Sequence, residues 1–107
     1  MIECGIKTLR CPMILKIPMN YETEIIDGRK AIVRHMFEPH EIKIGSRWAR
    51  ADGSKGYVTV EGFNYYGSVD PWNWEVVYSY ELNGAVKTWQ KEMYMFQSNF
   101  CLIVETT

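Results

Sequence analysis

Alternating apolar and polar positions mark a β-hairpin late in the chain, on either side of Asn83-Gly84. The segment "WEVVYSYEL" precedes this dipeptide and "AVKTWQ" follows it. Asn-Gly accepts positive φ at both central positions, which the type I′ turn requires. A two-residue loop then predicts cross-strand pairs whose side chains share one face of the hairpin. These pairs are Leu82 with Ala85, Tyr80 with Lys87, and Tyr78 with Trp89.

A second hairpin is predicted from "SRWAR" through "ADGSKG" to "YVTVEGF". The linker contains Asp-Gly and a further glycine, residue types that favour tight turns for definite steric reasons. Val58 and Val60 are expected to point to one face of the second strand. Gly62, late in the same strand, indicates a bulge or a sharp bend.

A third hairpin signal lies nearer the N-terminus, where "YETEII" and "RKAIVRHMF" flank Asp27-Gly28. Its alternation is poor, because Glu22 and Glu24 are interleaved with apolar residues. Charged side chains of this kind suit an exposed or edge hairpin, since they deter pairing with other strands. Upstream, "CPMILKIP" predicts a brief strand bounded by two prolines.

The segment "QKEMYMFQSNF" (residues 90–100) is the one helix-like piece of the sequence. Met93 and Phe96 are three positions apart, and Phe96 and Phe100 are four apart. This spacing predicts one or two helical turns, with 3₁₀ geometry an open option. The segment "CLIVE" then predicts a final strand.

These elements predict one mainly β domain spanning residues 1–107. A chain of 107 residues has room for a single modest core. An aromatic content of 14% favours strands, because flat bulky side chains suit a pleated, half-buried surface. We expect residues 1–37 to form an N-terminal strand and a hairpin arm, and residues 42–105 to form a compact barrel.

The order of elements over residues 42–105 resembles an SH3-like small barrel, in which a 3₁₀ turn precedes the last strand. The strings "GSRW", "YVTVEG", "EVVYSYELNG" and "CLIVE", together with Trp89, are similar to small uncharacterised phage and bacterial proteins. The resemblance implies about five antiparallel strands and an origin in a phage or other mobile element. It implies no catalytic residues.

Charge and composition exclude several functional classes. The net charge is −1 and no basic stripe is present, which disfavours nucleic-acid binding driven by counterion release. Three cysteines do not form a secreted disulfide framework. No signal peptide is recognised, and no apolar run approaches the roughly 20 residues of a membrane span. The expected location is the cytoplasm, that of the host if the protein is phage-encoded.

The potential metal ligands and nucleophiles are Cys4, Cys11, His35, His40 and Cys101. They lack the paired spacing of a structural zinc site, and no nucleophile or oxyanion motif accompanies them. Cys101 alternates with apolar residues in "FCLIV" and is expected to be a small core residue. The sequence therefore predicts no metal, no cofactor and no enzyme, with a Cys/His enzyme as the least favoured alternative.

The segment "NYYGSVDPWNW" (residues 64–74) concentrates aromatic side chains in a predicted loop. Exposed tyrosine and tryptophan rings bury much area at little entropic cost, so they make good binding anchors. The candidate binding residues are Tyr65, Tyr66, Asp70 and Trp72. The opposing interpretation is that the rings cap the core. For Trp74 and for Trp48, which precedes the loop, core positions are favoured.

The sequence therefore predicts a non-enzymatic module that docks on a host or phage protein through this loop. An alternative is single-stranded nucleic-acid binding by base stacking on the same rings, which the nearby Asp70 and Glu75 disfavour. The N-terminal hairpin, residues 19–37, offers a possible route to a homodimer by strand pairing.

Overall fold

The computed structural model describes residues 21–105, which contain seven strands and one short helix. The strands are β1 (Glu22–Ile26), β2 (Arg29–Val33), β3 (Arg47–Arg50), β4 (Tyr57–Asn64), β5 (Glu75–Leu82), β6 (Ala85–Glu92) and β7 (Phe100–Glu105). Helix α1 (Met93–Asn99) separates the last two strands, and two 3₁₀ turns lie at Pro39–Glu41 and Pro71–Asn73. The strand predicted at residues 11–18 lies outside the described residues.

All seven strands belong to one antiparallel sheet with the order β1-β2-β7-β3-β4-β5-β6. The prediction of a mainly β fold is confirmed. Within residues 21–105 the sheet is open, with β1 and β6 at its two edges. The five strands expected for the barrel and the two strands of the N-terminal hairpin therefore form one continuous sheet.

The predicted N-terminal hairpin is present, and it is joined to the rest of the sheet. Strand β2 pairs with β7, and Ala31 lies opposite Ile103. Ala31 and Val33 pack in one apolar cluster, whereas Ile32 packs in another on the opposite face. A strand covered on both faces shows a continuous apolar run instead of alternation. This double coverage explains the unbroken apolar run of Ala31, Ile32 and Val33 in β2. Glu22 and Glu24 lie on β1, an edge of the sheet within residues 21–105.

The turn chemistry predicted the other two hairpins correctly. Strands β5 and β6 pair in the expected register, with Leu82 opposite Ala85 and Tyr78 opposite Trp89. Asn83 and Gly84 both have positive φ, at 52° and 82°, as a type I′ turn requires. Strands β3 and β4 form the second hairpin, and the register of β4 against β5 shifts at Gly62. The predicted bulge is therefore present.

A main core fills one face of the sheet beneath α1. Met93, Phe96 and Phe100 are all buried there, which confirms the helical spacing seen in the sequence. The helix is α-helical over seven residues. Trp48 is only 1% exposed, and its ring centroid lies 5.0 Å from that of Phe96. The prediction that Trp48 is a core residue is confirmed.

A smaller apolar cluster covers the opposite face of the sheet. It contains Ile26, Ala31, Val33 and Ala49, with Cys101 and Ile103 packed against it. Because side chains alternate along a strand, β7 supplies both clusters, and Phe100 and Leu102 face the main one. The half-buried Cys101 thus packs among apolar residues, as its sequence context predicted.

One buried polar side chain, Gln97 of α1, joins the helix to the connection between β2 and β3. Its Oε1 accepts a hydrogen bond from the Phe37 N–H at 2.6 Å, and its Nε2 donates to the Phe37 carbonyl at 2.8 Å. Both residues are buried. The two bonds satisfy main-chain polar groups that are shielded from water. Leaving such buried groups without hydrogen-bond partners would destabilise the fold.

Within residues 21–105, no helix is long and apolar enough to cross a membrane, and α1 has only seven residues.

Replacing Gln97 with methionine is expected to destabilise the fold while keeping the side-chain volume. The Phe37 N–H and carbonyl would stay buried without partners, at about 1–3 kcal/mol each, so we expect a loss of about 2–6 kcal/mol in the free energy of unfolding. Urea denaturation followed by tryptophan fluorescence measures this loss. Ser98→Ala, an exposed neighbour on α1, is the control, with a change within about 0.5 kcal/mol. Equal midpoints for the Gln97 and Ser98 variants would contradict the expectation.

Candidate functional site: the aromatic loop

The loop between β4 and β5, residues 64–74, begins with a tight turn. Tyr66 and Gly67 have φ values of 51° and 72°, and the Ser68 N–H donates to the Tyr65 carbonyl at 2.9 Å. Positive φ is ordinary for glycine but uncommon for tyrosine. The backbone therefore turns sharply at Tyr66, whose side chain is 68% exposed.

The second half of the loop is held by Asp70 and Ser68. The Asp70 Oδ1 accepts from the Trp72 N–H at 3.1 Å and so caps the 3₁₀ turn Pro71–Asn73. The Ser68 hydroxyl accepts from the Asp70 N–H at 3.1 Å and from the Asn73 side-chain amide at 3.2 Å. Asp70, predicted as a binding residue, thus has one carboxylate oxygen engaged in shaping its own loop.

Trp74 anchors the base of the loop. Its Nε1 donates to the Ser68 carbonyl at 2.9 Å. Its ring meets the Tyr65 ring edge-on, with centroids 4.5 Å apart, and lies 6.0 Å from the Phe63 ring. Trp74 is half-buried and lies outside the main core cluster. The sequence favoured a core position for Trp74, whereas in the structure its ring packs against Tyr65 and Phe63 at the base of the loop.

The loop holds three large apolar side chains toward solvent. Tyr65 is 52% exposed, Tyr66 is 68% exposed and Val69 is 95% exposed. The structure therefore brings the two predicted tyrosines together on one exposed turn. Val69 was missed, because a single valine in a loop has no periodic or aromatic signal in the sequence.

Trp72 occupies a different environment from the two tyrosines. It is half-buried and packs against the main core cluster. Its ring centroid lies 6.0 Å from that of Tyr94 on α1, which is 63% exposed. Trp72 therefore differs from Tyr65 and Tyr66: part of its side chain packs on the core and part is accessible to solvent. Tyr94 was missed because it lies 22 positions further along the sequence.

The electrostatics of the loop are acidic. Residues 64–75 contain Asp70 and Glu75 and no lysine or arginine. The Tyr66 hydroxyl donates to the Glu75 Oε1 at 2.7 Å. This hydrogen bond to a carboxylate raises the pKa of Tyr66, because it stabilises the neutral phenol and the carboxylate opposes a second negative charge.

The chemistry of the described cysteine and histidines gives no activated nucleophile. Burial raises the pKa of the Cys101 thiol, whereas a reactive cysteine has a lowered one. His35 packs between aromatic rings, 4.6 Å from Tyr21 and 4.5 Å from Phe37. No cluster of three or more metal-ligating side chains occurs in residues 21–105; Cys4 and Cys11 lie outside that range.

Comparison with protein-family models, curated proteins and solved structures finds no match to this chain.

Replacing Glu75 with glutamine is expected to lower the pKa of Tyr66 toward that of a free tyrosine. The raised pKa means that the Tyr66–Glu75 bond stabilises the fold at neutral pH. This contribution is lost as pH rises through the pKa of folded Tyr66. NMR titration of the Tyr66 ring carbon bonded to the hydroxyl measures the change. Glu81→Gln, on the same strand, is the control, and an equal effect of both substitutions would contradict the assignment.

Replacing Asp70 with alanine is expected to destabilise the loop by about 1 kcal/mol, the usual cost of losing a side-chain cap. Asp70→Ser keeps a capping oxygen and is the matched control, with most of the stability retained. Urea denaturation gives the global effect, and amide hydrogen exchange at Trp72 gives the local one. Identical exchange in the alanine and serine variants would show that the cap is not what holds the turn.

Proposed function

We propose that this chain is a non-enzymatic binding module that docks on a partner protein through the aromatic loop. One observation carries the proposal. Tyr65, Tyr66 and Val69 stand largely in solvent, on a loop whose shape is set by its own hydrogen bonds. Exposed apolar residues in a structured loop have no role in the core and are typical of interaction sites.

Contacts within the loop hold its exposed side chains in place, which favours binding. Binding loses less entropy when the contacting side chains are already positioned. The Trp74 ring supports Tyr65, and Glu75 holds the hydroxyl of Tyr66. Tyrosine also combines a large apolar ring with a polar end, which suits the centre of an interface.

The charges of the loop indicate the chemistry of the partner. Asp70 and Glu75 border the exposed rings, and no cation occurs in residues 64–75. Complementary potentials across an interface speed association and exclude wrong partners. We therefore expect a protein surface with an apolar patch bordered by lysine or arginine. The same acidic border opposes nucleic-acid phosphates.

The finer fold assignment is also a proposal. Strand β7 pairs with β3, so the last five strands have the order β7-β3-β4-β5-β6, and α1 directly precedes the last strand. This arrangement supports the SH3-like fold proposed for residues 42–105. Origin in a phage or other mobile element, and action in the host cytoplasm, rest on the sequence resemblance.

The non-enzymatic part of the proposal is supported by the half-buried Cys101, because burial raises the pKa of its thiol and so favours the neutral form. Dimerisation through the N-terminal hairpin is the weaker part. Strand β2 has neighbours on both sides, so among the described residues β1 is the edge that the hairpin offers. That edge carries Glu22 and Glu24, both paired with Arg34. Two copies would bring acidic side chains together, which opposes pairing.

A triple variant, Tyr65→Ala, Tyr66→Ala and Val69→Ser, tests the loop without disturbing the half-buried Trp72. A photo-crosslinking residue at position 66 first identifies the partner in lysate, and calorimetry with the purified partner then measures affinity. We expect the variant to bind about 10- to 100-fold more weakly, the usual effect of removing two aromatic anchors.

Ile44→Ser, at a residue that is 65% exposed on a different loop, is the control and should bind normally. Circular dichroism confirms that each variant folds. Equal affinity of the triple variant and the parent would overturn the proposal. A crosslinked species removed by nuclease, with affinity falling steeply as salt rises, would establish the nucleic-acid alternative instead.

A further inference from the structure

The core-facing side of the β5–β6 hairpin extends beyond the core into solvent. Tyr78, near the middle of β5, is 4% exposed, whereas Leu82 at its end is 50% exposed. Trp89, the cross-strand partner of Tyr78, is 56% exposed. One apolar face therefore runs from the buried centre of the protein to an open end that no other element in residues 21–105 covers.

This open face forms a shallow groove whose charges are positive. Its lining includes Arg50, Tyr80, Leu82, Trp89, Lys91 and Phe100, with no acidic side chain among the lining residues. The Arg50 guanidinium carbon lies 5.9 Å from the Tyr80 ring centroid, in cation–π contact. Lys87 shares this face, because it lies opposite Tyr80. The groove thus combines an aromatic surface with three cationic side chains, those of Arg50, Lys87 and Lys91.

Strand β6 borders the groove with unpaired main-chain groups. It pairs with β5 and, within the described part of the chain, with no other strand. A two-residue turn makes Leu82 and Ala85 a hydrogen-bonded pair, and such pairs alternate along an antiparallel ladder. Val86, Thr88 and Gln90 therefore direct their N–H and C=O groups away from β5, toward the open edge.

We propose that this groove and edge together bind an acidic, extended segment of a partner protein. The segment would add to β6 as an eighth strand, pairing its main chain with Val86, Thr88 and Gln90. Its inward-facing carboxylates would lie near Lys87 and Lys91, and an apolar side chain would contact Trp89. Affinity comes from the main-chain hydrogen bonds, and specificity comes from alternate side chains. This site is independent of the aromatic loop.

Charge decides between this occupant and a second copy of the chain. Antiparallel pairing of β6 with itself would bring Lys87 and Lys91 of both copies onto one face. Like charges across neighbouring strands are destabilising, whereas an acidic strand would neutralise them. A single-stranded nucleic acid could meet the cations, but it lacks the repeating donors and acceptors that match a strand edge. An acidic peptide would use both the cationic side chains and the unpaired main-chain groups of the β6 edge.

The probe is a synthetic ten-residue peptide whose alternate residues, which share one face of a strand, run in the order glutamate, tyrosine, glutamate, with threonine at the positions between them. NMR of the isotopically labelled full-length chain should show peptide-dependent shifts at the amides of Val86, Thr88 and Gln90 and at the Trp89 indole. A matched peptide with lysine in place of glutamate should bind at least about tenfold more weakly, the equivalent of about 1.4 kcal/mol.

Three variants separate the main-chain and side-chain contributions. Thr88→Pro removes an outward N–H, which an edge strand tolerates, and should weaken peptide binding at least about tenfold. Trp89→Ala, at an exposed position, should also weaken it. The double variant Lys87→Glu and Lys91→Glu should reverse the preference and bind the lysine peptide. Ile44→Ser, at an exposed residue on a different loop, is the control and should bind the glutamate peptide as the parent does.

Peptide-dependent shifts confined to the aromatic loop, or no shifts at saturating peptide, would overturn the proposal. An unchanged preference in the Lys87/Lys91 double variant would overturn it as well, even if Thr88→Pro failed to fold. Concentration-dependent dimerisation that blocks the peptide would assign the edge to a second copy. Tighter binding of oligo-dT than of the glutamate peptide would assign the groove to nucleic acid. Failure of the loop proposal leaves these results unaffected.

Discussion

The double hydrogen bond between the Gln97 side chain and the Phe37 main chain joins α1 to the connection between β2 and β3. Gln97 lies on α1, close to the end of the described chain, whereas Phe37 belongs to the connection that leaves the N-terminal hairpin. The pairing allows Phe37 to be buried in the main core without unsatisfied main-chain polar groups. It also holds the Phe37 ring against Trp48, with centroids 5.7 Å apart.

The position of α1 shapes both surfaces that we assign to binding. Phe96 of the helix packs on Trp48 and on Phe100, so the helix covers the centre of the sheet and leaves the far end of β5–β6 open. On its other side, α1 presents Tyr94 to Trp72 of the aromatic loop. A seven-residue helix therefore closes the core, supports the loop and leaves the β6 groove exposed. The charged side chains around the two surfaces are of opposite sign.

Local signals in the sequence predicted the hairpins, because turn chemistry acts over two to four residues. Asn83-Gly84 determines the register of β5–β6, and the glycine at position 62 marks the bulge that the structure contains. The aromatic loop was also visible in the sequence, including its exposed Tyr65 and Tyr66. The separate roles of the loop residues could not be predicted. Asp70 caps a turn and Trp72 packs on the core, and both contacts form only in the folded chain.

By itself, the sequence determined the strands, the turns and the helical spacing of Met93, Phe96 and Phe100, all of which depend on near neighbours in the chain. The tertiary structure alone decided that the N-terminal hairpin joins the sheet through β7. It also decided that Gln97 is buried and that, within residues 21–105, β6 is an edge of the sheet. Each of these depends on contacts between residues far apart in sequence, and a single sequence contains no direct record of such contacts.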